Sequence, residues 1–142
     1  MLRGLSTVVL FADDMDKARD WYTEVLGIGP YFARPEGGPP AYLEFRIGDY
    51  QHELGLLDRR YSPHGAASDP GGVITYWHVD DVEGAMERLL SLGATLHEEI
   101  TTRGPGFVTG SVIDPFGNIL GVMYNAHYLE ILEFRSGSML GE

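Results

Sequence analysis

Two side chains in this sequence have the type and placement to do chemistry in a largely apolar setting, Glu53 and His78. Glu53 lies in the alternating segment 50–57, where a carboxylate facing inward can act as general base on an acidic C–H or bind an amine. Burial without a cation would raise its pKa. The structural alternative is an exposed carboxylate on a hairpin. His78 closes the alternating segment 73–79, and histidine, which titrates near neutrality, can serve there as a base or ligand anchor. Its structural alternative is a hydrogen-bonded histidine near a strand end. His52 precedes Glu53 and faces the opposite side of a regular strand. His64 sits in a Pro/Gly loop, His97 on an edge strand and His127 near the C-terminus. No pair has the His-x-x-x-His or Glu-x-x-His spacing that brings ligands onto one helix face. Cysteine is absent, which excludes a disulfide framework, a thiolate metal site and a thiol nucleophile. No Gly-x-Gly-x-x-Gly or phosphate-loop lysine supports a nucleotide cofactor, and Ser111 lacks a nucleophile-elbow context.

The elements that must position Glu53 and His78 occur twice. An alternating apolar strand, Asp13-Asp14, an amphipathic stretch and Leu26-Gly27 are followed by a second strand, Asp80-Asp81, a second amphipathic stretch and Leu92-Gly93. Asp14 and Asp81 are 67 residues apart, and Leu26 and Leu92 are 66 apart. The aspartates suit helix N-caps, the glycines left-handed stops, and the intervening apolar residues one helix face. Each half reads as β-α-β-β-β: strands at 5–12, 31–34, 41–47 and 50–57, then at 73–79, 95–101, 107–113 and 119–124. Segments 35–40 and 62–72 are the strongest breaks. The chain is expected to form a single domain over 1–142, with module one at about 4–61, module two at about 72–124 and a tail at 125–142. The tail carries Tyr128, Leu129, Ile131, Leu132 and Phe134 and is expected to pack as a short helix or on a second subunit, with residues 136–142 frayed.

The net charge of −11 argues against nucleic-acid binding. It favours a cationic partner by long-range attraction, or simply keeps the protein soluble. No apolar run approaches the length of a membrane span. The N-terminal residues lack the pattern of a secretory signal, so a cytoplasmic location is the default expectation.

The chain resembles the vicinal oxygen chelate superfamily of glyoxalase I, bleomycin-resistance proteins and extradiol dioxygenases. The resemblance rests on residues 8–14, on Trp21-Tyr22-Thr23-Glu24-Val25-Leu26-Gly27, on Trp77-His78-Val79-Asp80-Asp81, on Leu92-Gly93-Ala94 and on Asp114-Pro115-Phe116-Gly117-Asn118. It implies an α+β fold of two tandem βαβββ modules forming a curled mixed sheet around a shared cavity. It also implies a homodimer, since family members often dimerise. Strand parity then lines the cavity with Thr7, Val9, Phe11, Ile74, Tyr76, His78, Ile119, Gly121 and Met123, and the family's closing-strand position adds Glu53. This apolar wall with polar tips suits an organic ligand.

In the family's enzymes a divalent metal takes one ligand from the first and last strands of each module. The matching positions here are Thr7, Glu53, Ile74 and Gly121, of which only Glu53 is a good ligand. The sequence thus predicts a protein that binds a small organic molecule, the acidic charge being compatible with a cationic one, with no cofactor. The alternative is a lyase, isomerase or dioxygenase-like enzyme acting on a small oxygenated metabolite, with a divalent metal if the ligand register differs. Glu53 and His78 are the catalytic candidates.

Overall fold

A computed structural model describes residues 1–63 and 69–140, so His64 lies outside the described residues. The chain divides into two compact units, Met1–Asp69 with Phe116–Asn118, and Pro70–Pro115 with Ile119–Glu142.

The first unit begins with β1 (Thr7–Ala12) and α1 (Met15–Leu26), followed by β2 (Phe32–Arg34), β3 (Tyr42–Ile47) and β4 (His52–Asp58). The α1 helix starts where the Asp14 carboxylate accepts from Lys17 N–H, and it stops at Gly27, whose φ of 74° is costly for residues with a Cβ. The four strands form one mixed sheet in the order β1-β4-β3-β2, with β1 parallel to β4 and the other pairs antiparallel. One face carries Ala12, Leu43, Phe45, Leu54 and Leu56, buried together with Met15, Ala18 and Tyr22 of α1. Each large side chain among them contributes roughly 1.5–3 kcal/mol by leaving water. The period-2 pattern sends Thr7, Val9 and Phe11, Tyr42, Glu44 and Arg46, and Glu53, Gly55 and Leu57 to the other face.

Phe116–Asn118 belong to this unit although they lie far along the chain. The Asn118 side chain accepts from Phe11 N–H at 3.0 Å and donates to Phe11 C=O at 2.8 Å, continuing the hydrogen bonding of β1 at its free edge. Arg59 donates to the Phe116 carbonyl at 2.9 Å and to Asp13 at 3.1 Å, and the Phe116 ring meets Trp21 edge-on.

The second unit contains β5 (Tyr76–His78), α2 (Val82–Ser91), β6 (Thr95–Gly104), β7 (Phe107–Ile113), β8 (Ile119–Asn125) and α3 (Ala126–Leu140). Its sheet has the equivalent order β5-β8-β7-β6. Asp81 caps α2 by accepting from Gly84 N–H. Val82, Met86 and Leu89 of α2 are buried with Val112, Leu120 and Val122.

The duplicated βαβββ order and the α+β class agree with the sequence reading. The strands form two four-stranded mixed sheets, neither of them closed. Three local features differ. Only residues 76–78 of the expected strand 73–79 complete a ladder, with the Thr75 carbonyl accepting from Gly121 N–H as its lead-in. The β6 strand runs to Gly104 and carries three register shifts. The tail is a helix through Leu140, so residues 136–140 are helical where fraying was expected. Among the described residues, no helix is long and apolar enough to cross a membrane.

Candidate functional site

In each unit the sheet face away from the main helix gathers the polar and aromatic groups. In the first unit Thr7 donates to Glu53 Oε2 at 2.9 Å, and Arg46 Nη1 lies 3.4 Å from Glu53 Oε1. Glu53 is therefore a half-buried, partnered carboxylate on the same face as Thr7, Val9 and Phe11. Beside it Glu44 accepts from the hydroxyls of Tyr42, at 2.6 Å, and Tyr31. Burial pushes the Glu44 carboxyl above its usual range, the nearby Glu53 adds to the shift, and Arg46 opposes it. Burial and Glu53 likewise raise the Tyr42 phenol.

In the second unit the corresponding face centres on Glu98. Tyr76 donates to Glu98 Oε2 at 2.6 Å and Ser111 to the same oxygen at 3.2 Å. Arg103 and Thr109 donate to Oε1 at 2.6 and 3.0 Å. Burial disfavours the Glu98 anion, but the bonds from Tyr76, Arg103, Thr109 and Ser111 outweigh it and hold the carboxyl at about 2. The Tyr76 phenol is raised, first by its bond to that anion and then by burial. His97 Nδ1 lies 2.8 Å from Ser111 Oγ. The register shift between Leu96 and Glu98 inserts His97 as an extra residue, so His97 and Glu98 both reach Ser111.

The cavity residues of the sequence reading separate into two sets. Thr7, Val9, Phe11 and Glu53 share the face of the first sheet, while Tyr76, Gly121, Met123 and Ile119 share that of the second, with Ile74 against Gly121. His78 has a different setting. Its Nδ1 accepts from Asn125 N–H at 3.1 Å, its ring stacks on Tyr128 of α3 at 4.6 Å, and its side chain is only 8% exposed. Its Nε2 is 3.6 Å from Asp80 and has no hydrogen-bond partner among the described residues. The ring thus anchors the start of α3.

The strand registers also revise the ligand positions. Val9 and Tyr76 are equivalent in the repeat, each five residues before the second aspartate. Val9 pairs with Gly55 and Tyr76 with Gly121. The counterpart of Gly121 in the first unit is therefore Gly55, and Glu53 corresponds to Ile119. Both glycines are covered by a tyrosine. A Cβ on Gly55 would lie 2.5 Å from the Tyr42 hydroxyl oxygen, and one on Gly121 would lie 2.7 Å from Tyr76 Cδ1.

The residues at the implied metal positions do not fit a divalent ion. With either register they offer at most one carboxylate and one hydroxyl, and those two are bonded to each other. Even an open iron site uses about three protein ligands. Among the described residues, no group of three or more His, Asp or Glu side chains is placed to hold a metal.

Spacing singled out Thr7, Glu53 and Tyr76 but missed Glu44, His97, Glu98 and Ser111. The Tyr42-Leu43-Glu44 run puts its first and third side chains on one face, a signal legible in the sequence. The irregular register of β6 hid the others.

Two helix-backed, four-stranded sheets built from a repeated βαβββ order define a duplicated α+β protein of a widespread kind. A family model described as the Glyoxalase/Bleomycin resistance protein/Dioxygenase superfamily matches residues 4–122, and the chain belongs to that superfamily. Among solved structures, it is similar to a glyoxalase-related enzyme from Fulvimarina pelagi, with 22% identity, a TM-score of 0.69, and coverage of 87% of this chain and 89% of that one. It is also similar to a lactoylglutathione lyase from Agrobacterium tumefaciens, with 23% identity, a TM-score of 0.63 and coverage of 87% and 94%. A superfamily member from Sphaerobacter thermophilus gives 20% identity, a TM-score of 0.67 and coverage of 86% and 97%. At these identities the likeness concerns the fold. No curated protein matches the chain.

Proposed function

We propose that this protein binds a small organic molecule on the helix-distal sheet faces, without the divalent metal of the superfamily's enzymes. The observation that carries the reading is the pair Gly55 and Gly121, at equivalent closing-strand positions and each covered by a tyrosine ring whose hydroxyl is tied to a glutamate. A face of aromatic rings with a few fixed polar groups suits an organic ligand better than a bare ion. The acidic net charge favours a cationic ligand. Assembly as a homodimer and a cytoplasmic location complete the proposal. Ile131 and Phe134 of α3, both exposed, provide apolar surface for self-association.

Metal analysis after purification with added Zn²⁺, Ni²⁺, Mn²⁺ and Fe²⁺ tests the first part. Stoichiometric metal that disappears in Glu53→Ala would sink the metal-free reading. A thermal-shift screen of organic compounds tests the second, because a ligand specific to the folded state raises the midpoint. A cationic ligand should bind less well as salt rises.

A further inference from the structure

Three routes of donors converge on Glu98 besides the direct bond from Arg103 Nη2 at 2.6 Å. Tyr76 donates directly. Arg103 Nε donates to Thr109 Oγ1 at 3.2 Å, and Thr109 passes its own proton to Glu98 at 3.0 Å. The third runs through Ser111 to His97. Each hydroxyl has one proton, and an ionised carboxylate only accepts. Ser111 is fully buried, and its one proton can go to Glu98 at 3.2 Å or to His97 Nδ1 at 2.8 Å. With that proton on the ionised Glu98, Ser111 Oγ accepts from His97, and the hydrogen of the neutral imidazole sits on Nδ1. The polarity of the whole network runs toward Glu98, and the lone pair of the exposed His97 ring is left on Nε2.

We propose that His97 is a ligand-anchoring residue of the second unit, with the Ser111–Glu98 relay fixing its Nδ1–H tautomer and leaving Nε2 to accept from the O–H or N–H of a small organic molecule. The proposal rests on the binding function above and adds the chemistry of the ligand: a protic group presented to a neutral imidazole. His97, on an exposed strand, gains a defined tautomer only because the irregular register of β6 aims it at a buried serine. Ser111 and Glu98 are positioning residues that act through it.

The test is a long-range ¹H–¹⁵N correlation of the histidine rings at neutral pH. Wild-type His97 should show the Nδ1–H tautomer, and Ser111→Ala should return it to the Nε2–H form usual for histidine in water. A wild-type ring already in the Nε2–H form overturns the relay, and this requires no variant. Phenol and its methyl ether anisole then probe the acceptor. Phenol should move the His97 Nε2 resonance, and anisole, which lacks the proton, should not. His97→Ala should weaken phenol binding by roughly 2- to 12-fold, the range of one net hydrogen bond. Equal effects of phenol and anisole, or none from phenol, overturn the acceptor role even if other compounds raise the unfolding midpoint. A compound screen with no hits overturns the binding function instead and leaves the tautomer result standing.

Discussion

Gly121 is the position where one methyl group should do the most damage. A Cβ there would lie 2.7 Å from Tyr76 Cδ1, 2.8 Å from the Thr75 carbonyl oxygen and 3.1 Å from Ile74 Cγ2. Carbon contacts are comfortable at about 3.5–4.0 Å, so all three neighbours are too near. The Thr75 oxygen is backbone and already accepts from Gly121 N–H at 3.0 Å. Either the lead-in to β5 opens or the Tyr76 ring swings away from Glu98. Overpacking of this kind costs about 1–3 kcal/mol. Losing the Tyr76 bond to a charged acceptor costs about 1.5–3 kcal/mol. The two costs partly substitute for each other, since a ring that swings relieves the clash, so Gly121→Ala is expected to lose about 2–4 kcal/mol. Urea unfolding should show this as a lower midpoint with an unchanged slope. In a Tyr76→Ala background the nearest obstacle is gone while the Thr75 oxygen remains, and the penalty should fall in part, by about 1 kcal/mol, a coupling typical of residues in contact. A Gly121→Ala protein within about 0.5 kcal/mol of wild type, or an equal penalty in both backgrounds, would refute the reasoning.

The nearest atoms that Gly55→Ala meets all belong to the Tyr42 side chain, which can move, so a smaller loss of about 1–2 kcal/mol is expected in the same urea assay. Glu98 titrates at about 2 in the folded protein against an ordinary 4.5, so its contribution is complete above 4.5 and is lost as pH falls toward 2. The stability gap between wild type and Glu98→Gln should accordingly narrow between about pH 6 and pH 3, and a constant gap would contradict the four-donor description. Asn118→Ala removes both bonds to the Phe11 backbone and should cost about 1–3 kcal/mol by denaturant unfolding, with faster hydrogen exchange at the Phe11 amide.

The frame of the fold was legible because its signals are local. Asp14 and Asp81 cap helices with their own carboxylates, and Gly27 and Gly93 have φ of 74° and 105° where left-handed stops were expected. Thr7 and Glu53 lie opposite each other across the β1–β4 ladder. The candidate site was less legible because it depends on pairing between strands. A shift of two residues in the β1–β4 register decides whether Glu53 or Gly55 is the counterpart of Gly121, and no periodicity reports it. Glu98 and His97 are edge-strand residues, and only the irregular β6 register brings both to Ser111 of β7. The stacking of His78 under Tyr128 likewise required the path of a tail whose sequence suggested only an apolar cluster.

Phe116–Asn118 carry a consequence for how such a duplicated chain can be divided. The sequence halves at the Gly-rich segment after residue 61, yet three residues from the far half complete the first unit. A fragment ending at Asp69 would leave the Phe11 N–H and C=O without Asn118 and Arg59 without the Phe116 carbonyl. Two separately expressed halves should therefore regain these contacts only by finding each other.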